Sequence, residues 1–112
     1  MITFHAKGQT GRVSFDGQAV TITRGLVSLQ GMSDKTIPLR HITSVQFRPA
    51  GKILRGFIAF SLGGSDERQS RAGRQVADMV TDENAVVFTG RSRDDFQQLA
   101  DAVNAALREV QS

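Results

Sequence analysis

Along most of the chain, apolar and polar residues alternate one by one. Ile2, Phe4 and Ala6 alternate with Thr3, His5 and Lys7; Val13 and Phe15 alternate within RVSFDG, and Val20 and Ile22 within AVTITRG. A period of two marks a half-buried strand, because successive side chains leave opposite faces of the pleat. Gly8, Gly11, Gly17, Gly25 and Gly31 punctuate the runs, where turns with positive φ would fall. Asp16-Gly17 predicts a hairpin between the Val13 and Val20 strands. LVSLQG and KTIPLRHITSVQF continue the pattern, with Ile37 and Leu39 on one face. Pro38 has no N–H to give a ladder, so its strand is an edge or ends early. Val45 and Phe47 alternate again. GFIAFSLGG is apolar at consecutive positions, the pattern of a central strand covered on both faces.

Residues 63–84 break the alternation, with few apolar residues before Val76, Met79 and Val80. They predict a long, mobile polar loop with at most one helical turn near its end. AVVFTG then gives a short strand within 85–89. The spacing of Phe96, Leu99, Val103, Leu107 and Val110, with Ala100 and Ala106 beside them, predicts an amphipathic helix over 93–110. Asp95, Gln98, Asp101 and Arg108 fall outside that stripe. Ser92, followed three residues later by Asp95, makes a weak capping box, and Asp94 and Asp95 suit the positive end of the helix dipole. The apolar stripe must cover something, and the preceding sheet is the target. The fold class expected is mainly β with one C-terminal α-helix, in a single domain over 1–112. About seven strands lie within 2–62 and 85–89. A pleckstrin-homology-like antiparallel barrel capped by the helix is the first architecture; a β-sandwich plus helix is the alternative.

Composition narrows the classes. A chain of 112 residues is one domain and can bury a core without metal or disulfide staples. It has no cysteine, which excludes a disulfide framework, a thiolate metal site and a cysteine nucleophile, and fits a reducing compartment. No apolar run reaches the length of a membrane-spanning helix, and MITFHAKGQ lacks the features of a signal peptide. The expectation is a soluble, cytoplasmic protein. Net charge is +3, but unevenly placed: residues 1–55 hold eight cations against two anions, and residues 56–112 six cations against nine anions. Such a chain either presents a positive face to an anionic partner or intermixes the signs on folding; intermixing ranks first.

The runs GRVSFDGQAVTITR, IPLRHITSVQFRPAGKILRGFIAFSLGG, DENAVVFTG and DDFQQLADAV resemble a bacterial domain-of-unknown-function family with a pleckstrin-homology-like fold. That family often occurs in tandem or next to a short C-terminal (SHOCT) domain. The resemblance covers nearly the whole chain. It implies the barrel and a non-enzymatic role, and brings no ligand and no catalytic residues. This chain shows one copy and no SHOCT-like segment, an arrangement that would suit a compact genome such as a phage.

Sites for chemistry are scarce. Gly51-Lys52 is followed by Ile53, and Gln46 stands where a phosphate loop needs its first Gly. Gly63-Gly64-Ser65 precedes no strong helix and reads as flexible. His5 and His41 have no partner at metal-ligand spacing; His5 reads as solvent-facing and His41 as a strand end. No G-x-S-x-G turn occurs. Asp82 and Glu83, adjacent at a strand end, point apart, and capping accounts for Asp94 and Asp95. The expectation is no enzyme activity, no catalytic residue, no metal and no cofactor.

Binding readings remain. PAGKILRGF, residues 49–57, places Ile53 and Leu54 between Lys52 and Arg55 in a loop. With Arg48, these residues form the candidate contact surface. Strand alternation extending into the loop would turn one of Ile53 and Leu54 inward and leave the other outside. The first reading is a binding or assembly module that contacts protein, another copy of itself included, with no small-molecule substrate. The second is a membrane-surface module in which Arg48, Lys52 and Arg55 meet anionic lipid. Three cations at about 1 kcal/mol each make weak, transient anchoring. The third is non-specific nucleic-acid binding by Arg68, Arg71 and Arg74, which one helical turn would align on phosphates. It ranks last, because Asp66, Glu67 and Asp78 balance that loop, the chain has neither Trp nor Tyr, and its Phe residues fall mostly on apolar faces.

Overall fold

A computed structural model of the chain describes residues 3–24, 34–51, 54–62 and 84–111. The expected LVSLQG strand, residues 63–83 and the Lys52-Ile53 pair lie outside these residues. The strands are β1 (Phe4–Lys7), β2 (Arg12–Phe15), β3 (Ala19–Thr23), β4 (Lys35–Pro38), β5 (Ile42–Arg48), β6 (Gly56–Leu62) and β7 (Ala85–Phe88). They are followed by one α-helix, α1 (Arg93–Gln111).

β1 to β4 form one antiparallel sheet in sequence order, and β5 to β7 form a second. Period-two alternation sets the first sheet's register. Ala6 lies opposite Val13, and Val13 opposite Ile22; Phe15 lies opposite Val20, and Val20 opposite Ile37. All six side chains are buried in one cluster. A one-residue slip would turn every one of them to solvent. The Asp16-Gly17 hairpin forms as expected. Gly17 takes φ 97°, and the Asp16 carboxylate accepts the backbone amides of Gln18 and Ala19 at 2.8 and 2.9 Å. β4 is the edge of its sheet and ends at Pro38. Leu39–His41 then make a 3-10 turn. His41 therefore sits in the turn before β5 rather than at a strand end, and is exposed like His5.

β6 is central in the second sheet, and every residue from Gly56 to Ser61 is buried. Ile58 and Phe60 join Val86 and Phe88 of β7 in the main core. Phe57 and Ala59 join Ala85 and Val87 in a second cluster. Consecutive apolar residues are the signature of that double coverage.

The helix packs against β1 of the first sheet and β5 of the second, so it spans from one sheet to the other. Phe96, Leu99, Ala100, Val103 and Leu107 are buried, and the Phe96 ring stacks on Phe88 at 4.3 Å. Two expectations fail here. Val110 is 60 % exposed: at about 1.5 Å per residue the helix spans roughly 28 Å, while seven-residue strands span roughly 23 Å, so the last turn outruns its support. Ser92 is no capping box. It lies in a 3-10 turn, and its hydroxyl donates to the Lys7 carbonyl at 2.7 Å, tying the helix start to the end of β1.

The described strands do not close into a barrel. No ladder joins the two sheets among the described residues. The edge of β7 is met instead by the β1–β2 turn: Gln9 donates its amide to the Val87 carbonyl at 2.7 Å, and the Val87 amide donates to the Thr10 hydroxyl at 3.0 Å. Arg24, only 5 % exposed, donates Nη1 to the Thr10 carbonyl at 2.7 Å and Nη2 to the Ala85 carbonyl at 2.9 Å. Lys35 Nζ donates to Asn84 Oδ1 at 2.6 Å. The sheets are thus joined by side chains and a turn on one side and by the helix on the other.

Candidate contact surface

The β5–β6 connection is built from its base outward. Arg48 lies opposite Phe57 as the last ladder pair. Ala50 is buried in the main core. Gly56 follows, and a Cβ there would collide with the Arg48 carbonyl oxygen and lie 2.6 Å from the Ala50 amide nitrogen. Only glycine lets the chain pass. The Gly51 carbonyl lies against Gly90, where a Cβ would approach it to 2.9 Å. Pro49-Ala50-Gly51 is therefore anchored to the core and to the turn that starts the helix. The Gly51 amide donates to the Leu54 carbonyl at 2.9 Å, closing the tip.

Beyond this base the character changes. Leu54 is 75 % exposed, and Arg55 and Arg48 are exposed on either side. Leu54 and Val110 are the exposed large apolar residues among those described. Arg48 is partly held: its guanidinium lies 5.9 Å from the Phe57 ring centroid, a cation–π contact. Of the five predicted contact residues, Arg48, Leu54 and Arg55 come together on one hairpin, while Lys52 and Ile53 lie outside the described residues. The strands stop at Arg48 and Gly56, so alternation does not carry into the tip, and Leu54 is an outward-facing side chain.

The other predicted residues contribute less. Arg68, Arg71 and Arg74 lie outside the described residues. All seven Phe are buried or half-buried, so no exposed ring offers a base a stacking platform. Among the described residues, no group of three His, Asp or Glu side chains could hold a metal ion, and no helix is long and apolar enough to cross a membrane. Sequence reasoning missed Arg24 and the facing pair Lys7 and Arg12. The signal for the pair was available: two cations flanking a four-residue turn, GQTG, fall opposite each other once the hairpin closes.

No curated protein and no solved structure matches the chain. A family model described as Domain of unknown function matches residues 13–104, which takes in β2 to β7, the β5–β6 tip and two-thirds of the helix. The match brings no ligand, fold class or neighbouring module. Since it spans most of the sequence, the chain belongs to that family, Domain of unknown function (DUF4429).

Proposed function

We propose that this chain is a non-enzymatic binding or assembly module that contacts protein through the β5–β6 tip. The observation that carries the reading is Leu54, three-quarters exposed between Arg48 and Arg55 on a base fixed by Ala50, Gly56 and Gly90. A single exposed leucine is ordinary on a mobile loop. On a hairpin whose base is anchored it is an exposed apolar side chain flanked by arginines of the kind that interfaces favour. The pleckstrin-homology-like architecture belongs to the same proposal. Its support is the strand order, four then three, with a terminal helix spanning the two sheets.

Membrane contact is the rival for the same residues. Full burial of one leucine contributes about 1.5–3 kcal/mol, and each cation near an anionic surface about 1 kcal/mol. That sum gives transient anchoring only. Two assays separate the readings. Affinity capture from the native host, with wild type and Leu54→Asp baits, should show a specific protein lost with the variant. Sedimentation with anionic liposomes should leave wild type in the supernatant. Capture that ignores Leu54→Asp, or liposome binding that Leu54→Asp and Arg55→Ala abolish, would refute the protein-contact reading.

A further inference from the structure

Two large apolar side chains stand exposed among the described residues, Leu54 at 75 % and Val110 at 60 %. They sit at opposite ends of the helix. The Leu54 carbonyl accepts the Gly51 amide, and the Gly51 carbonyl lies against Gly90, in the 3-10 turn that leads into α1. Val110 is in the last turn of α1, which runs from Arg93 to Gln111. At about 1.5 Å per residue, the helix from Arg93 to Val110 covers roughly 25 Å. That length keeps the two side chains apart within one chain, so they meet only between copies.

The two ends differ in charge. Residues 48–57 carry Arg48, Lys52 and Arg55 and no carboxylate, and Arg48 and Arg55 are exposed on either side of Leu54. The helix carries Asp94, Asp95, Asp101 and Glu109 against Arg93 and Arg108. Glu109 is exposed next to Val110. Arg108, two positions before Val110, leaves the other side of the helix, because residues two apart do not share a face. The C-terminal end also carries the negative pole of the helix dipole, which favours cations. Ala106, one turn before Val110 and half-buried against the core, continues the apolar surface without bulk. Leu54 is thus an apolar side chain in positive surroundings, and Val110 one in negative surroundings.

We propose that the β5–β6 tip of one copy docks on the last two turns of α1 of a second copy. Leu54 packs on Val110 and Ala106, and Arg48 and Arg55 face Glu109 and the negative end of the helix. This names a partner for the tip and rests on the reading of that tip as a protein-contact surface. The two patches are unlike. The contact either repeats head to tail from copy to copy, or is made twice about a two-fold axis, each tip on the other copy's helix end. It is smaller than a standard stable interface, so association is weak and concentration-dependent.

The test is sedimentation equilibrium of the full chain over a concentration series reaching the order of 1 mM. It compares wild type, Leu54→Asp, Val110→Asp and an equimolar mixture of the two variants. Circular dichroism checks that both variants are folded, as substitutions at exposed positions should be. Wild type should exceed one chain, stopping at two copies if the contact is reciprocal and growing further if it runs head to tail. Each variant alone should associate at least tenfold more weakly. The mixture should regain a two-chain complex, because the Val110→Asp copy keeps its tip and the Leu54→Asp copy keeps its helix end. A wild type that stays a monomer throughout, a Val110→Asp variant that assembles as wild type does, or a mixture no larger than its components overturns the proposal. Those results leave the tip as a contact surface for a different protein, provided that affinity capture is lost with Leu54→Asp. Self-assembly that ignores Leu54→Asp overturns the proposal and the reading of the tip together.

Discussion

Two glycines, Gly51 and Gly56, test how the hairpin base is built. Gly56 has backbone atoms of Arg48, Pro49 and Ala50 where a Cβ would go, while Gly51 has nothing within 4 Å of that position. Gly56→Ala should cost about 1–3 kcal/mol or more, because backbone cannot yield as a side chain can. Gly51→Ala should change stability by less than about 0.5 kcal/mol. Urea denaturation of both variants checks the contrast. Asp16 makes a second test. Backbone amides of Gln18 and then Ala19 hold its carboxyl below the ordinary range. A folded-state pKa that is depressed adds stability above the unfolded-state pKa and loses it as pH falls through the folded value. The difference in stability between wild type and Asp16→Ala should therefore be fully present at neutral pH. It should shrink as the carboxyl protonates in acid. A difference independent of pH would show that the turn does not rely on the charge.

At the scale of the elements, the helix is divided by what lies under it. Phe96 is buried and stacked on Phe88, so Phe96→Ala should destabilise the chain by about 3–5 kcal/mol. Val110, in the same heptad stripe by sequence, is largely exposed, so Val110→Ser should fall within about 0.5 kcal/mol of wild type. Thermal or urea melts of the pair decide it. The same division explains how much could be read in advance. The Asp16-Gly17 turn, the doubly buried GFIAF strand and the stripe from Phe96 to Leu107 are local patterns, and local patterns are written in consecutive residues. Where the helix runs out of sheet is not local, so Val110 looked like core. Ser92 looked like a cap because a cap is the local option; its hydroxyl goes instead to Lys7, eighty-five residues away in sequence. The tip was half legible. Its cations and apolar residues were evident, but the outward direction of Leu54 follows from where β5 and β6 stop.

For the whole molecule, the decisive feature is that, among the described residues, two sheets meet without a shared ladder. Arg24 bridges the β1–β2 turn and β7 through two carbonyls. Its loss would leave the carbonyls of buried Ala85 and half-buried Thr10 without that donor. Hydrogen bonds to charged groups contribute about 1.5–3 kcal/mol each, so Arg24→Met should destabilise by about 3 kcal/mol or more in denaturant titrations. Arg24→Lys should not restore the stability, because an ammonium lacks the planar fork that spans two acceptors. The sequence showed Arg24 only as one more cation in the basic half, since nothing local marks it as buried. With the sheets fixed in this way, the β5–β6 tip projects from a firm base, and that is the ground for reading the chain as a contact module. Light scattering across a concentration series tests this most directly, on wild type and Leu54→Asp, alone and with the captured partner. The account predicts that wild type exceeds the 12.2 kDa of one chain, either by itself or only with its partner, and that Leu54→Asp stays at one chain under both conditions. A wild type that remains a monomer with every candidate partner, or a Leu54→Asp variant that assembles as wild type does, would contradict it.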